Sequence, residues 1–115
     1  MIDHETIARN NHASGMNCAT AVYDALCCGN DKNRTEPPRP RSEGGKCGAV
    51  LAAEQYIREN GGTQENIEEF ERRFTEKYGH LTCAELRGFL SGKCNDYVGF
   101  AASLVGMMGL THEGE

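Results

Sequence analysis

Apolar residues recur at helical spacing along most of this chain. Two stretches show the pattern most clearly, residues 47 to 60 and residues 64 to 78. Their apolar positions are Ala49, Val50, Ala53, Tyr56 and Ile57 in the first stretch and Ile67, Phe70, Phe74 and Tyr78 in the second. Such a stripe predicts an amphipathic helix that faces a core. Because no stretch alternates apolar and polar residues as a strand does, the pattern predicts an all-α fold.

Capping and breaking residues divide the chain into five or six helices. Asp3, Asn17, Thr63 and Thr82 are suitable N-cap residues, since their side chains can accept a hydrogen bond from the first helical turn. We place the helices at residues 4 to 11, 18 to 28, 47 to 60, 64 to 78, 83 to 90 and 94 to 108. Small residues in the last helix predict close packing within the bundle. We expect a single-domain helical bundle over residues 1 to 115.

One long connection, residues 29 to 45, interrupts this pattern. It contains Pro37, Pro38 and Pro40 and residues of both charges, which favour an extended conformation. A solvated surface loop is the simplest interpretation. A lid or docking arm is the alternative, because the loop ends immediately before Cys47.

Composition limits the classes of partner. The net charge is −5, from 12 basic and 17 acidic residues, which argues against nucleic acid and anionic membranes as main partners. No apolar run has the length of about 20 residues that a membrane span needs. The N-terminus has no basic stretch followed by an apolar one, so we predict no signal peptide and a cytoplasmic location.

Six cysteines are many for a protein of a reducing compartment. Four of them, Cys18, Cys47, Cys83 and Cys94, stand at the predicted first turn of a different helix. Backbone N–H groups at a helix start carry a partial positive charge that favours a thiolate. If these helix starts converge, the four cysteines form a preorganised thiolate site. The sequence therefore predicts a redox or metal-thiolate site at these four residues.

Several alternatives stay open at this point. The four cysteines could be small buried packing residues, or ligands of a structural zinc ion that supports an interaction module. They could also pair reversibly as a thiol–disulfide redox protein without metal. Their separations of 28, 35 and ten intervening residues match no Cys-x-x-Cys knuckle, ferredoxin or thioredoxin motif. Spacing alone therefore does not identify the metal.

The other two cysteines and the histidines have secondary roles in this interpretation. Cys27 and Cys28 are adjacent near a helix end, where neighbouring side chains do not face each other. We interpret both as packing residues, with a resolving thiol as the alternative. His12 and His80 lie close in sequence to Cys18 and Cys83, so either could approach the site, although surface or capping roles are the simpler interpretation for the histidines.

Four short motifs resemble one known family. They are residues 15 to 19 (GMNCA), 44 to 49 (GGKCGA), 78 to 88 (YGHLTCAELRG) and 93 to 94 (KC). In order and flanking residues they resemble the C-GCAxxG-C-C family, which is described as redox-active, over nearly the whole chain. The central motif departs from the family's, since Ala52 replaces its last glycine and the order Cys-Gly-Ala replaces Gly-Cys-Ala. Cys27 and Cys28 have no counterpart in the family's pattern.

The resemblance implies a particular cofactor. The family is similar to the cysteine-rich domain of split-Soret cytochromes, which is associated with an iron–sulfur cluster. Carried over by position, the family's cysteines are Cys18, Cys47, Cys83 and Cys94. We expect them to hold a [2Fe–2S] cluster, with [4Fe–4S] or zinc as alternatives, for electron transfer or redox sensing. A redox partner protein follows from that role, a homodimer is compatible with it, and an enzyme with its own substrate is less favoured.

Overall fold

The computed structural model describes residues 3–28, 34–39, 44–87 and 94–108. Within these ranges the protein contains six α-helices: α1 (His4–Ala13), α2 (Cys18–Cys27), α3 (Gly48–Glu59), α4 (Gln64–Tyr78), α5 (Cys83–Arg87) and α6 (Cys94–Gly106). The only β-type pairing in the described part of the chain is an isolated antiparallel bridge between Lys46 and Thr82. The predicted all-α bundle is therefore confirmed.

The predicted N-caps of the long helices are present. Asp3 accepts a hydrogen bond from the backbone of Thr6, at 3.1 Å. Asn17 accepts one from Thr20, at 2.9 Å, and so begins α2. At α4, Thr63 forms a capping box with Asn66. Each cap satisfies a backbone donor that the first helical turn leaves without an intrahelical partner.

Helix α2 is the centre of the bundle and packs against α1, α3 and α6. Seven of its ten residues are buried, as expected for a helix that is apolar on nearly all sides. Helix α4 lies on the outside of α3 and α6. Its predicted stripe of Ile67, Phe70 and Phe74 is buried, and charged side chains cover its opposite face.

Small residues in α6 permit a close approach of α1, as the sequence predicted. A Cβ atom at Gly99 would lie 2.3 Å from Nε of Arg9, and one at Gly106 would lie 2.9 Å from the ring of His4. A side chain at either position would therefore displace a side chain of α1, Arg9 at Gly99 and His4 at Gly106. His4 itself is buried and donates from Nδ1 to the Ala25 carbonyl, at 2.9 Å, so its role lies in the core and the predicted surface role was wrong.

Several predicted boundaries need correction. Helix α1 continues to Ala13, two residues beyond the predicted end, and α6 ends at Gly106. Helix α3 begins at Gly48, with Cys47 as its N-cap residue. The predicted end of the fifth helix, residues 88 to 90, lies outside the described residues.

The described part of the long loop, residues 34–39, is held against α2 and α3. The backbone of Thr35 donates to the Tyr23 hydroxyl at 2.8 Å, and Tyr23 in turn donates to Glu59. Gln55 donates to the Glu36 carbonyl at 2.7 Å. Because these partners lie well along α2 and α3, residues 34–39 do not cover the starts of these helices, where Cys18 and Cys47 lie. The rest of the predicted loop, residues 29–33 and 40–43, is outside the described residues.

No helix within the described ranges combines the length and the apolar character needed to cross a membrane.

Candidate functional site

The backbone brings the start of α3 next to the start of α5. The N–H of Cys47 donates to the carbonyl of Leu81, at 2.9 Å, and Lys46 pairs with Thr82 in the isolated bridge. Two helices far apart in sequence thus begin side by side, one after Cys47 and the other at Cys83. The spacing of the cysteines in the sequence did not show whether the helix starts converge.

Three thiols gather at this end of the bundle. The side chain of Cys18 interacts with those of Cys47 and Cys94, so residues from the starts of α2, α3 and α6 meet. Cys47 is buried, at 3% exposure, whereas Cys18 and Cys94 are half-buried. Cys18, Cys47 and Cys94 are all thiols, with no disulfide between them. The side chain of Cys83 lies outside the described residues, although its helix start is adjacent.

Helix α6, which begins at Cys94, is held in place from two sides. Its Asp96 accepts a hydrogen bond from Arg9 of α1, at 2.9 Å. Its Tyr97 hydroxyl donates to the Leu86 carbonyl of α5, at 2.8 Å, in a buried position. The second bond ties the short α5 to a long helix, because a helix of five residues is not stable by itself.

The protonation of Cys18 differs from the expectation for an isolated helix start. Hydrogen bonding to Cys47 is the main cause that raises the pKa of Cys18 far above its usual range, and burial is the second. The negative charges that Cys47 and Cys94 would carry as thiolates raise it further. The prediction that a helix start favours the Cys18 thiolate was therefore wrong for the protein without a bound cation. Three close thiols repel one another when ionised, and this effect exceeds the partial charge of a helix end.

The chemistry of this donor set fits a bound metal in one respect. Thiolates are ligands for zinc and iron–sulfur clusters, and a metal cation would offset the repulsion that raises the pKa of Cys18. In the part of the chain that the structure describes, however, no group of three or more His, Cys, Asp or Glu side chains is arranged to hold a metal ion. The described thiols alone therefore do not complete a metal site.

His12 approaches the thiols, and sequence reasoning gave it only a minor place. Its Nε2 lies 3.9 Å from Sγ of Cys18, and its Nδ1 lies 3.2 Å from Oδ1 of Asn95. Because an amide oxygen only accepts hydrogen bonds, Nδ1 carries the proton in this arrangement and Nε2 is left as an acceptor for the Cys18 thiol. The spacing of six residues before Cys18 was the sequence signal for His12, but nothing in the sequence indicated Asn95.

The remaining predicted residues lie elsewhere. His80 is exposed and forms an ion-pair contact with Glu85, at 3.5 Å. Cys27 is buried at 4% exposure, as predicted for a packing residue, and burial raises the pKa of its thiol. Cys28 is exposed, so the prediction that it packs in the core was wrong. Helix α2 ends at Cys27, and the turn that follows carries Cys28 out of the bundle.

Comparison with known proteins adds no relative to this description: no family profile, curated protein or solved structure matches the chain at a significant level.

Proposed function

We propose that this protein is a redox protein in which Cys18, Cys47, Cys83 and Cys94 hold a metal-thiolate centre. An iron–sulfur cluster, with [2Fe–2S] favoured over [4Fe–4S], is the centre that the residues fit best. The observation that carries the proposal is the meeting of Cys18 with Cys47 and Cys94, next to the helix start at Cys83. The resemblance of the four cysteine motifs to the C-GCAxxG-C-C family supports it independently.

The donor chemistry supports the same proposal. The interaction with Cys47 is the main cause that raises the pKa of Cys18, so a bound metal would have to displace the proton of this thiol. Ligands must be deprotonated to bind metal, and a bound cation stabilises the thiolates that otherwise repel each other. Such a cluster would supply one-electron chemistry. The protein's part would be to orient the sulfurs and to place helix N–H groups near them, which favours the reduced state.

The role proposed for the centre is electron transfer or redox sensing. A redox partner protein then takes the place of a small-molecule substrate. We also propose a cytoplasmic location, because the protein is rich in cysteine thiols. We propose no binding to nucleic acid, because the net charge is negative. A homodimer is compatible with the same role.

The decisive experiment is a metal and sulfide assay with an ultraviolet–visible spectrum on anaerobically purified protein. We expect coloured protein that contains iron and acid-labile sulfide, and a paramagnetic signal on one-electron reduction. Cys18→Ser and Cys94→Ser should lose both iron and sulfide. Cys28→Ser is the matched control, because its exposed thiol lies outside the site, and it should retain both. Protein that stays colourless after anaerobic reconstitution with iron and sulfide would contradict the cluster.

Zinc is the alternative metal at the same four residues. Stoichiometric zinc without sulfide, together with a lower melting temperature after chelation, would support a structural interaction module instead of a redox centre. The same metal assay therefore separates these two interpretations.

A second candidate function is thiol–disulfide exchange without metal, favoured by the contacts of Cys18 with Cys47 and His12. In this reaction Cys18 passes its proton to Nε2 of His12 and attacks a disulfide of a partner protein, which releases one partner sulfur as a thiolate. Cys47 then attacks the mixed disulfide. The products are a Cys18–Cys47 disulfide and a partner dithiol, which takes up the two protons. Mass spectrometry after oxidation should detect this pair, and equal alkylation of all six cysteines would exclude it.

A further inference from the structure

A buried carboxyl group lies on α3, two helical turns beyond its start. Glu54 is 1% exposed, although it is an ionisable residue in an otherwise apolar stretch of the helix. Nζ of Lys46 lies 3.2 Å from Oε1 of Glu54 and 3.0 Å from Oε2 of Glu71 on α4. One ammonium group thus lies between two carboxyl groups and joins α3 to α4.

If Glu54 is ionised, one of its two carboxylate oxygens is left without a hydrogen-bond donor. Oε2 of Glu54 is buried, and no group of the described residues donates a hydrogen bond to it. Glu54 and Glu71 nevertheless interact directly through their side chains. Two ionised carboxylates are both acceptors only, so they cannot form a hydrogen bond with each other. A proton on Glu54 supplies the missing donor, because the resulting O–H bonds to Glu71 while Lys46 continues to donate to both groups.

We propose that Glu54 is a proton-binding switch: it is protonated in the folded protein below neutral pH, donates its proton in a hydrogen bond to Glu71, and weakens the junction of α3 and α4 when it ionises. This inference is independent of the metal-thiolate proposal. It rests on the burial of Glu54, its unpartnered oxygen and the single lysine between two carboxyl groups.

The electrostatic surroundings agree with this arrangement. Burial is the largest cause that raises the pKa of Glu54 to about 7, and the bond to Glu71 is the next. Lys46 lowers it in part. Glu71 has its pKa lowered, mainly by the hydrogen bond with Glu54. Arg58 is a further charged neighbour, whose guanidinium lies 3.7 Å from Oε1 of Glu54 but is half exposed to solvent.

The direction of the pH effect follows from linkage. The pKa of Glu54 is higher in the folded state than its value of 4.5 in the absence of these contacts. Its contribution to stability is therefore complete below pH 4.5 and is lost as the pH rises through about 7. Glu71 has the opposite shift, so its contribution is present above pH 4.5 and is lost only in more acidic solution. Between pH 5 and pH 8 the switch therefore depends on Glu54.

The residues around Glu54 are also connected to the candidate site through the backbone. Lys46 directly precedes Cys47, and its backbone pairs with Thr82 at the start of α5. Because Nζ of Lys46 contacts both Glu54 and Glu71, a change in the protonation of Glu54 alters the surroundings of the segment that joins the starts of α3 and α5.

The test compares the pH dependence of unfolding in wild-type protein and in Glu54→Gln. A glutamine can donate to Glu71 and accept from Lys46, so it imitates the protonated glutamate. We expect the unfolding equilibrium constant of wild type, divided by that of Glu54→Gln, to rise roughly 50- to 100-fold between about pH 5 and about pH 8. Use of this ratio cancels the pH dependence that the two proteins have in common.

The matched control is Glu68→Gln, which changes an exposed glutamate of α4 and should follow wild type at every pH. A ratio that does not change with pH would overturn the proposal. If Glu54→Gln does not fold, the wild-type protein still decides: its infrared spectrum at pH 6 should contain the band of one protonated carboxyl group that disappears by pH 8.5. Absence of that band would also overturn the proposal.

Discussion

Two clusters of acidic groups lie next to α3, one at its N-cap residue and one farther along, and only the second contains a lysine. At the start of α3, Cys47 meets the thiol of Cys18, which also meets Cys94, and the strongest effect on Cys18 comes from Cys47. Farther along, Glu54 meets Glu71, and the protein places Lys46 between them. In both clusters one acid is held in its protonated form, Cys18 in the first and Glu54 in the second.

This difference indicates how each cluster responds to a cation. The carboxyl cluster already contains the ammonium group of Lys46, so one added proton is enough to neutralise the charge of its two carboxyl groups. In the thiol cluster the neighbouring thiols raise the pKa of Cys18, and a cation bound there would be attracted by the thiolates that form. The comparison supports a metal at the thiol cluster and a proton at the carboxyl cluster.

The largest expected effect is the loss of the proposed metal centre. Cys94→Ser should bind no iron after anaerobic reconstitution, whereas Glu54→Gln should bind as much as wild type, because its change lies in the other cluster. Iron and sulfide analysis of the two variants provides the measurement. Equal iron content in Cys94→Ser and wild type would remove the basis for assigning the cation to the thiol cluster.

The next largest effect concerns Lys46, the positive charge of the carboxyl cluster. Lys46→Met leaves two carboxyl groups without their ammonium, so we expect a loss of about 2–4 kcal/mol in the free energy of unfolding at pH 8. The loss should be smaller at pH 5, where Glu54 is protonated. Chemical denaturation at the two pH values measures both quantities. Lys46→Arg is the control that keeps the charge, and a loss that is equal at both pH values would contradict the role of the Glu54 proton.

A smaller effect is expected on thiol reactivity without metal. The thiolate is the reactive form of cysteine, and the pKa of Cys18 is raised mainly by Cys47. At pH 8 we therefore expect Cys18 to alkylate at least about tenfold more slowly than exposed Cys28. Cys47→Ala should accelerate alkylation of Cys18, which mass spectrometry of digested protein can follow over time. No acceleration would mean that burial alone protects Cys18.

The smallest effect concerns the support of α5. Tyr97→Phe removes the hydroxyl that donates to the Leu86 carbonyl at 2.8 Å and leaves that acceptor buried. We expect a loss of about 1 kcal/mol in the free energy of unfolding, as for other single buried hydrogen bonds. The change should affect the thiol cluster only, so the pH dependence due to Glu54 should stay as in wild type. A variant with wild-type stability would show that the bond does not hold α5 in place.

Local patterns predicted the fold well because helices are specified by neighbouring residues. The stripe of Ile67, Phe70 and Phe74 faces the core, and Asp3 and Asn17 cap their helices. Helix ends were less accurate, as at α1 and α3, because fraying and capping depend on contacts beyond the local sequence. Cys28 was misplaced for a related reason: periodicity does not show where a helix turns out of the bundle.

The candidate site was predictable only in part. The positions of Cys18, Cys47 and Cys94 at or next to helix starts followed from the caps, but the meeting of their thiols depended on how α2, α3 and α6 pack. Asn95 was missed because its contact with His12 joins residues distant in sequence. The same reason hid the partners of Glu54, since Glu71 belongs to another helix.

The sequence by itself determined the helices, their apolar faces and a set of cysteines at or next to helix starts, since these depend on interactions between near neighbours. Tertiary structure alone decided which ionisable groups became neighbours and how their protons are held. An isolated helix start favours a thiolate, but packing placed Cys18 among other thiols and raised its pKa. The charge of a buried group depends on every group within a few ångströms, and the bundle, not the local sequence, brings those groups together.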